Sequence, residues 1–430
     1  MKKAIVVGSG AGGSMVAREL QGAFQVTVLE AGEPFRPFGG NLGLVERLRR
    51  GPGLLLNETQ VGVLFPAMRT SIAGDGMILV RGICQGGTTT ISTGNAIRQD
   101  HDLKAIGIDL EVEFQALCRE IPVHADHESS WRASTREAYN VCQDLGLQPQ
   151  STPKMGWRER CSGCGRCVLG CPRGAKWDSR RLLNQAVEAG AELLCGHRVH
   201  EVVIERGRAV GVVASKGRHR QVHRADLVVL AAGGLGTPDI LQESGIECQA
   251  TLFVDPVLCV AARRAKTLQN RELPMPFIVQ REHFIISPYF DFLSYFFNPM
   301  WRLPAGDIFS LMIKLADTNE GTVCSKGAGK TLTDIDRARL EDGVKWCKEI
   351  LRRMGVKDAD VFRGTLNAGH PGGMLPLSEK EARTLHHPRL PENLYVADAS
   401  LLPRSLGNPP ILTILALAAR IGRLGRELAD

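Results

Sequence analysis

The hydrophobic pattern is clearest at the start of the chain, where short apolar runs flank a helical stretch. Residues 4–7 form an uninterrupted apolar run that predicts a buried parallel strand, residues 14–21 predict a helix, and residues 26–29 predict a second strand. This order is typical of an α/β fold with a parallel sheet.

Glycines with the spacing Gly8-x-Gly10-x-x-Gly13 connect the first strand to the helix. The first glycine allows a tight turn, the second allows the backbone to approach a pyrophosphate, and the third allows the helix to pack on the strand. Glu30 follows the second strand, where it can accept hydrogen bonds from ribose hydroxyls. The pattern predicts a site for FAD or NAD rather than NADP, because an acid at position 30 would repel a 2′-phosphate.

Further along, residues 226–246 predict a strand, a glycine turn and a helix that begins near Pro238. Residues 252–323 are rich in strand patterns, and residues 394–422 predict a strand, an acid, a loop and an apolar helix over 412–421. An amphipathic helix is predicted near 334–354. Its apolar positions are Ile335, Leu340, Val344, Cys347, Ile350 and Leu351.

Composition narrows the class of protein. The chain has 430 residues, 43% of them apolar, and a net charge of +7. It has no basic run interleaved with aromatics, which argues against a nucleic-acid partner. We expect no transmembrane segment, because no apolar run is long enough. With no signal-peptide pattern, the 12 cysteines are expected to be thiols or metal ligands in a cytoplasmic protein.

Four segments resemble the glucose–methanol–choline (GMC) family of FAD-dependent oxidoreductases, in that family's order. They are QGGTTTIS (85–92), GGLGTPDILQESGI (233–246), NAGHPGGM (367–374) and LYVADAS (394–400). The chain would be a short member with a ferredoxin-like cysteine motif. The resemblance implies that Gly86, Gly87 and Thr88 lie in the loop over the flavin ring. It also implies that Asp398 lies beside the ribityl or pyrophosphate groups of FAD.

The resemblance further implies an FAD-binding Rossmann-like domain interleaved with an α+β substrate domain built on an antiparallel sheet. The FAD-binding domain would comprise residues 1–100, 175–255 and 360–430. The substrate domain would comprise residues 101–155 and 256–359, with a cysteine-rich iron–sulfur segment at 156–174.

By the same resemblance, His370 is the candidate base that removes the hydroxyl proton of an alcohol. Asn408 is the candidate that orients the substrate oxygen. The spacing from Asn408 to Thr413 is one residue longer than is usual in the family. His386 and His387 lie in a polar connector, where we expect surface residues.

Cys161-x2-Cys164-x2-Cys167-x3-Cys171-Pro172 has the spacing of a bacterial ferredoxin motif, so we predict a [4Fe–4S] cluster. Either Cys171 is the fourth ligand or a remote cysteine replaces it. The remote candidates are Cys84, Cys142 and Cys195. A zinc site is an alternative, although zinc usually binds two more widely separated pairs. A purely structural role is another.

The cysteine segment is basic, which would suit an acidic electron carrier such as a ferredoxin. Its basic residues are Lys154, Arg158, Arg160, Arg166, Arg173 and Lys176. Residues 277–301 contain nine of the 23 aromatic residues of the chain and favour a hydrophobic alcohol, or its carbonyl, over a sugar.

The sequence therefore predicts an FAD-dependent alcohol dehydrogenase that passes electrons through a [4Fe–4S] cluster to a protein acceptor. One alternative is an alcohol oxidase that forms hydrogen peroxide, with the cysteines structural or bound to zinc. A second alternative is an electron-transfer subunit with flavin and cluster but no substrate of its own.

Overall fold

The structure, a computed structural model, describes residues 1–51, 56–324 and 327–429. The strands of these ranges are β1 (Lys3–Val7), β2 (Gln25–Glu30), β3 (Met68–Ile72), β4 (Ile78–Gly82), β5 (Val123–His124), β6 (Gln150–Ser151), β7 (Lys154–Met155), β8 (Glu192–Cys195), β9 (Arg198–Glu205), β10 (Arg208–Lys216), β11 (His219–Arg224), β12 (Leu227–Leu230), β13 (Val257–Arg263), β14 (Phe277–Gln280), β15 (Phe284–Pro288), β16 (Ile308–Leu315), β17 (Thr322–Cys324), β18 (Gly327–Gly329), β19 (Val361–Arg363), β20 (Asn367–Ala368) and β21 (Leu394–Val396).

The α-helices of the same ranges are α1 (Ala11–Glu19), α2 (Leu42–Arg50), α3 (Glu58–Leu64), α4 (His101–Ala105), α5 (Glu111–Glu120), α6 (Ala133–Asp144), α7 (Arg180–Glu188), α8 (Gly233–Glu243), α9 (Phe292–Phe297), α10 (Asp334–Arg353) and α11 (Ile411–Arg426). None of these helices is long and apolar enough to cross a membrane.

A parallel sheet of strand order β21-β12-β1-β2-β8 carries the predicted nucleotide site. In β1 every residue after Lys3 is buried, and Val6 lies opposite Val229 on one side and Val28 on the other. Continuous apolar strands of this kind are typical of parallel sheets covered on both faces. Helix α1 packs on β1, β2 and β12 of this sheet and also contacts α7 and α11. The predicted α/β fold is confirmed.

The second large sheet is mostly antiparallel and has the order β3-β4-β20-β13-β16-β15-β14-β6, with β19 also paired to β13. It includes the strand-rich stretch predicted for 252–323. It also takes in β3, β4, β19 and β20, which come from segments predicted for the FAD-binding domain. The exact domain boundaries stay a prediction.

Helix α10 packs on β13, β15 and β16 of this sheet. Its predicted face is confirmed from Leu340 to Leu351, whereas Ile335 is exposed. The helix is fixed at its start by a capping box, in which the Thr333 side chain accepts from the Asp336 backbone N–H and the Asp336 side chain accepts from the Thr333 N–H.

Two local predictions are wrong. Helix α8 begins at Gly233 rather than near Pro238, because the Asp398 carboxylate accepts a hydrogen bond from the Gly233 N–H and so satisfies the first turn. His387 was predicted on the surface but is buried, and its Nδ1 accepts from the Arg389 backbone N–H. A polar connector in the sequence does not reveal that the rest of the fold covers it.

Candidate active site

The glycine turn between β1 and α1 fits tightly against the neighbouring strand. Gly8 has φ +94°, and a Cβ on it would lie 2.4 Å from the Ala231 carbonyl oxygen. A Cβ on Gly13 would lie 1.9 Å from the Gly8 carbonyl oxygen. Gly10 differs, because nothing lies within 4 Å of its Cβ position. The turn therefore leaves open space at the amino terminus of α1, where backbone N–H groups lack helical partners.

Glu30 is buried at the end of β2 beside this turn. Its carboxylate accepts hydrogen bonds from the Ser9 N–H at 3.0 Å, the Ser9 hydroxyl at 2.6 Å and the Gly32 N–H at 2.8 Å. Burial raises the pKa of Glu30, and these hydrogen bonds oppose that shift. The acid thus lies next to the glycine turn, as the sequence predicts.

The segment QGGTTTIS (residues 85–92), here called the Gly-Thr loop, lies directly over the glycine turn between β1 and α1. The Gly86 N–H donates to the Ser9 hydroxyl at 3.1 Å, and a Cβ on Gly87 would lie 2.8 Å from Cα of Gly10. The Thr88 hydroxyl accepts from the Gly82 N–H at 3.0 Å, which ties the loop to β4. The structure therefore brings the two predicted glycine segments together.

Asp398 follows β21, at a strand end that touches the first turn of α1. A Cβ on Gly12 would lie only 1.6 Å from the Ala397 carbonyl oxygen, so the strand end touches the first turn of α1. The Asp398 carboxylate accepts from the N–H groups of Gly233 and Ser400 at 2.8 and 2.9 Å, and from the Thr237 hydroxyl. Asp398 is thus held by the protein, beside the predicted nucleotide site.

A cavity of about 140 Å³ lies between the Gly-Thr loop and the antiparallel sheet. His370 is on its wall, with 27% of the side chain accessible. The surrounding wall is mainly apolar and includes Met68, Ile91, Leu169, Tyr289, Phe292 and Phe296. Three of the aromatic residues singled out in the 277–301 stretch therefore line this cavity, and most of the others are buried in the core.

The His370 ring is held neutral by its surroundings. Burial lowers the pKa of His370 well below its usual range, and the nearby Lys314 ammonium lowers it further. Its Nδ1 is buried with no hydrogen-bond partner among the described residues. A neutral imidazole at a cavity wall can accept a proton.

Behind His370 lies a buried ion pair that the sequence analysis missed. Lys314 of β16 pairs with the carboxylate of Asp255, and Oδ2 of Asp255 lies 3.9 Å from Nδ1 of His370. The other Asp255 oxygen accepts from the Ser405 hydroxyl and from the Gly407 N–H at 3.3 Å. A lysine inside the apolar strand sequence IFSLMIKL was the available signal, because buried lysines need a partner.

Asn408 lies next to this ion pair. Its backbone carbonyl accepts from Nζ of Lys314 at 3.2 Å, and its Nδ2 donates to Gln280 at 3.2 Å. Its Oδ1 is buried and has no hydrogen-bond partner among the described residues. The neighbouring Pro409 lines the cavity, but Asn408 does not.

A second cavity, of about 630 Å³, adjoins the first. Met68, Ile91 and Leu169 line both cavities. The remaining wall of the second cavity comes largely from residues 33–40 and 64–67, with Phe35, Phe38 and Phe65 among them. Three residues of the His370 cavity wall therefore also form part of the wall of a larger, mostly apolar space.

The four motif cysteines surround one small cavity of about 40 Å³. Cys161, Cys164, Cys167 and Cys171 all line it, and they form no disulfide. Gly163, Gly165 and Gly170 have φ values of +61°, +71° and +89° and allow the chain to turn between the cysteines. Cys84, Cys142 and Cys195 do not line this cavity. Within the described ranges, no three His, Cys, Asp or Glu side chains converge as a site for one metal ion.

Lys154 and Lys176 line the same cavity and are buried, with exposed fractions of 3% and 7%. Nζ of Lys176 donates to the carbonyls of Thr89, Thr90 and Ser92 at 2.7–3.0 Å and to the Cys167 carbonyl at 3.1 Å. The prediction that both lysines belong to a basic surface is wrong, because each side chain is folded inward onto backbone carbonyls, and that of Lys154 onto Asn95 as well.

Comparison with known proteins identifies the family. The family model described as GMC oxidoreductase matches residues 3–257, which is more than half of the chain. The chain belongs to the GMC oxidoreductase family. As a member, it is an FAD-dependent oxidoreductase that acts on CH–OH groups.

Individual relatives of this GMC oxidoreductase extend the comparison. An uncharacterised Methanocaldococcus jannaschii protein, MJ1450, is 25% identical, with 97% of this chain and 98% of that protein covered. A long-chain-alcohol oxidase of Arabidopsis thaliana, FAO1, is 23% identical, with 99% of this chain and 66% of that protein covered. The crystal structure of a pyridoxine 4-oxidase from Mesorbium loti has a TM-score of 0.73 at 17% identity, covering 98% of this chain and 99% of that one. That likeness confirms the fold.

The residues of this GMC oxidoreductase fit an FAD. The open space beside Gly10 faces free N–H groups of α1, which suits a pyrophosphate. A buried acid, Glu30, lies where a ribose is expected, and the cavity that holds His370 begins at Thr88 of the loop over the turn.

Proposed function

We propose that this protein is an FAD-dependent dehydrogenase that oxidises a hydrophobic alcohol to its carbonyl and delivers electrons to a protein acceptor. The observation that carries the proposal is the position of His370, a half-buried neutral imidazole on the wall of an apolar cavity. Gly8, Gly10, Gly13, Glu30, Gly86, Gly87, Thr88 and Asp398 form the proposed FAD site. FAD, when bound, supplies the acceptor for the hydride that leaves the alcohol carbon.

His370 would accept the hydroxyl proton of the alcohol, which leaves the C–H bond electrons free to depart as hydride. Lys314 and Asp255 would fix the positions of His370 and Asn408 relative to each other. Asp255 lies beside His370, and Lys314 contacts both Asp255 and the Asn408 carbonyl. Asn408 does not itself line the cavity, but its neighbour Pro409 does, and its unpartnered Oδ1 supports a polar role beside the site. The proton and the two electrons of the oxidation are thus both accounted for.

The proposed substrate class rests on the size and lining of the two adjoining cavities. A hydroxyl next to His370 would place an alkyl or alicyclic body against Phe292 and Phe296, and a longer tail would enter the 630 Å³ space. Apolar contact with walls of this kind is worth about 0.8 kcal/mol per buried methylene. The long-chain-alcohol substrate named for FAO1 supports the same class.

We also propose that Cys161, Cys164, Cys167 and Cys171 hold a [4Fe–4S] cluster, which when bound supplies a one-electron exit. The cluster is supported by the ferredoxin-like spacing of the four cysteines and by the single cavity that all four of them line. Arg158, Arg160 and Arg173 remain exposed beside it and suit an acidic, ferredoxin-like acceptor.

The test is anaerobic bleaching of the bound flavin by primary alcohols of increasing chain length. We expect faster bleaching with longer alcohols, and a loss of about 10²- to 10⁴-fold in His370→Gln, with reduction by dithionite unchanged. His101→Gln is the matched control, because the His101 side chain is 91% accessible and does not line the cavity. Bleaching of His370→Gln at the rate of the control would refute the role of His370.

The alternative is an alcohol oxidase, which the names of FAO1 and of pyridoxine 4-oxidase favour. Under air, an oxidase would form one hydrogen peroxide per alcohol oxidised. We expect little peroxide and, instead, alcohol-dependent reduction of an added ferredoxin. Stoichiometric peroxide together with no iron or sulfide in the anaerobically purified protein would favour the oxidase.

A further inference from the structure

The described residues include four buried lysines, and they fall into two kinds. Lys314 and Lys330 are each about 1% exposed and form ion pairs with Asp255 and Asp317. Lys154 and Lys176 are equally enclosed but form no ion pair with any described carboxylate. Buried charges are ordinarily paired or bound to a charged ligand, because desolvation of an isolated charge is costly.

Both unpaired lysines lie at one place. They line the cavity that the four motif cysteines surround, and their Nζ atoms are fixed by carbonyl oxygens rather than by acids. Lys154 contacts Asn95 and donates to the Pro274 carbonyl at 2.7 Å, whereas Lys176 donates to the Cys167 carbonyl at 3.1 Å. The protein has therefore enclosed two cations next to four potential thiolates, and no described carboxylate lines the cavity beside them.

We infer that Lys154 and Lys176 are the counter-cations of an anionic group held by Cys161, Cys164, Cys167 and Cys171. The inference rests on the proposed cluster. Four thiolates around a [4Fe–4S] core leave a net negative charge, which two enclosed ammonium groups offset. Because a nearby positive charge favours addition of an electron, the lysines raise the reduction potential of the cluster.

Lys176 has a second consequence for the same group. Its ammonium binds the carbonyls of Thr89, Thr90 and Ser92 in the Gly-Thr loop as well as the carbonyl of Cys167. A single side chain thus joins the proposed flavin loop to the cysteine segment. It holds the two redox sites at a fixed separation and places its charge between them.

The experiment uses Lys154→Gln and Lys176→Gln, which remove the charge but keep an N–H donor for the carbonyls. The control is Arg160→Gln, which removes one charge from the same segment at an exposed position. Iron, acid-labile sulfide and FAD are measured in anaerobically purified protein, and the cluster potential is followed by EPR. We expect wild-type iron content, with the reduction equilibrium of each lysine variant shifted at least tenfold toward the oxidised form. For a one-electron couple that shift is 59 mV.

A potential in both lysine variants that matches the Arg160→Gln control would overturn the inference while leaving the cluster intact. If a lysine variant contains no cluster, its melting temperature is compared with that of cluster-free wild type. If the variant and cluster-free wild type melt at the same temperature, the inference is supported, because the lysine charge is then needed only when the cluster is bound. If the variant melts at a lower temperature than cluster-free wild type, the inference is overturned. Wild-type protein without iron and sulfide would instead overturn the proposed cluster itself.

Discussion

Oδ2 of Asp255 lies 3.9 Å from Nδ1 of His370. The same carboxylate pairs with Lys314, so the candidate base stands beside a buried ion pair. This arrangement links the stability of the site to its chemistry. Removing one charge of the pair leaves the other uncompensated next to His370.

We therefore expect Asp255→Asn to lower the free energy of unfolding by about 3–5 kcal/mol, because Lys314 would remain buried without its partner. The double variant Asp255→Asn/Lys314→Met should recover most of that loss, since it removes the stranded charge as well. Urea unfolding monitored by tryptophan fluorescence measures both. Equal losses in the single and double variants would show that the ion pair is not the cause.

A second prediction concerns pH. Because the pKa of His370 is lowered below 6.5, the imidazole is neutral and able to accept a proton at pH 6.5 and above. We expect kcat/KM for the alcohol to be level from pH 6.5 to neutrality and to fall only at more acidic pH. Below pH 6.5 the unfolded chain takes up a proton at this histidine before the folded chain does, so folding stability also falls there. A midpoint above pH 6.5 in the activity profile would contradict the lowered pKa.

A third prediction compares Gly10, which directly precedes α1, with Gly12 in the first turn of that helix. Gly10→Ala should change the free energy of unfolding of the FAD-free protein by no more than about 1 kcal/mol relative to wild type, because its Cβ would enter open space. The added methyl group would occupy the approach of the pyrophosphate, so we expect FAD affinity to fall about tenfold or more, a cost of about 1.4 kcal/mol.

Gly12→Ala is the contrasting variant, because its Cβ would lie 1.6 Å from the Ala397 carbonyl oxygen. We expect it to lower the stability of the FAD-free protein as well as its FAD content. Thermal melts and fluorescence titration with FAD distinguish the two variants. If both lose FAD and stability in parallel, the space beside Gly10 is not the pyrophosphate position.

A fourth prediction tests the passage between the two cavities. Met68 lines both, and Met68→Trp would narrow the opening that a long alkyl tail has to cross. We expect KM for long-chain alcohols to rise about tenfold, corresponding to about two methylenes denied burial. Short alcohols should be oxidised as before. Met68→Leu, which conserves side-chain volume, is the control. If Met68→Trp raised KM equally for short and long alcohols, the result would contradict a passage between the two cavities.

The nucleotide half of the site was predictable because its determinants are local. The turn from Gly8 to Gly13 and the acid at Glu30 lie within one strand–helix–strand unit, so spacing alone fixes their geometry. The comparisons confirm the family that the later motifs indicated. Sequence spacing allowed Cys171 or a remote cysteine as the fourth ligand, and that choice stays a prediction. In the structure Cys171 lines the same cavity as the other three motif cysteines, whereas Cys84, Cys142 and Cys195 do not.

Burial of charge could not be predicted in the same way. Asp255 and Lys314 meet only because β16 pairs with β13 in register, and Lys154 and Lys176 are enclosed by segments distant in the sequence. A basic residue near other basic residues in the sequence suggests a charged surface. The pattern, however, carries no information on whether a given side chain points outward or inward. The entry of β3 and β4 into the antiparallel sheet was missed for the same reason.

The position of β1 has a consequence for how the protein is made. This strand lies between β2 and β12, and β12 in turn pairs with β21 at residues 394–396. During translation the first strand leaves the ribosome long before two of the strands that complete its sheet, and such non-local pairing is slow to form. The sheet that carries the proposed FAD site can therefore be complete only after nearly the whole chain has been synthesised.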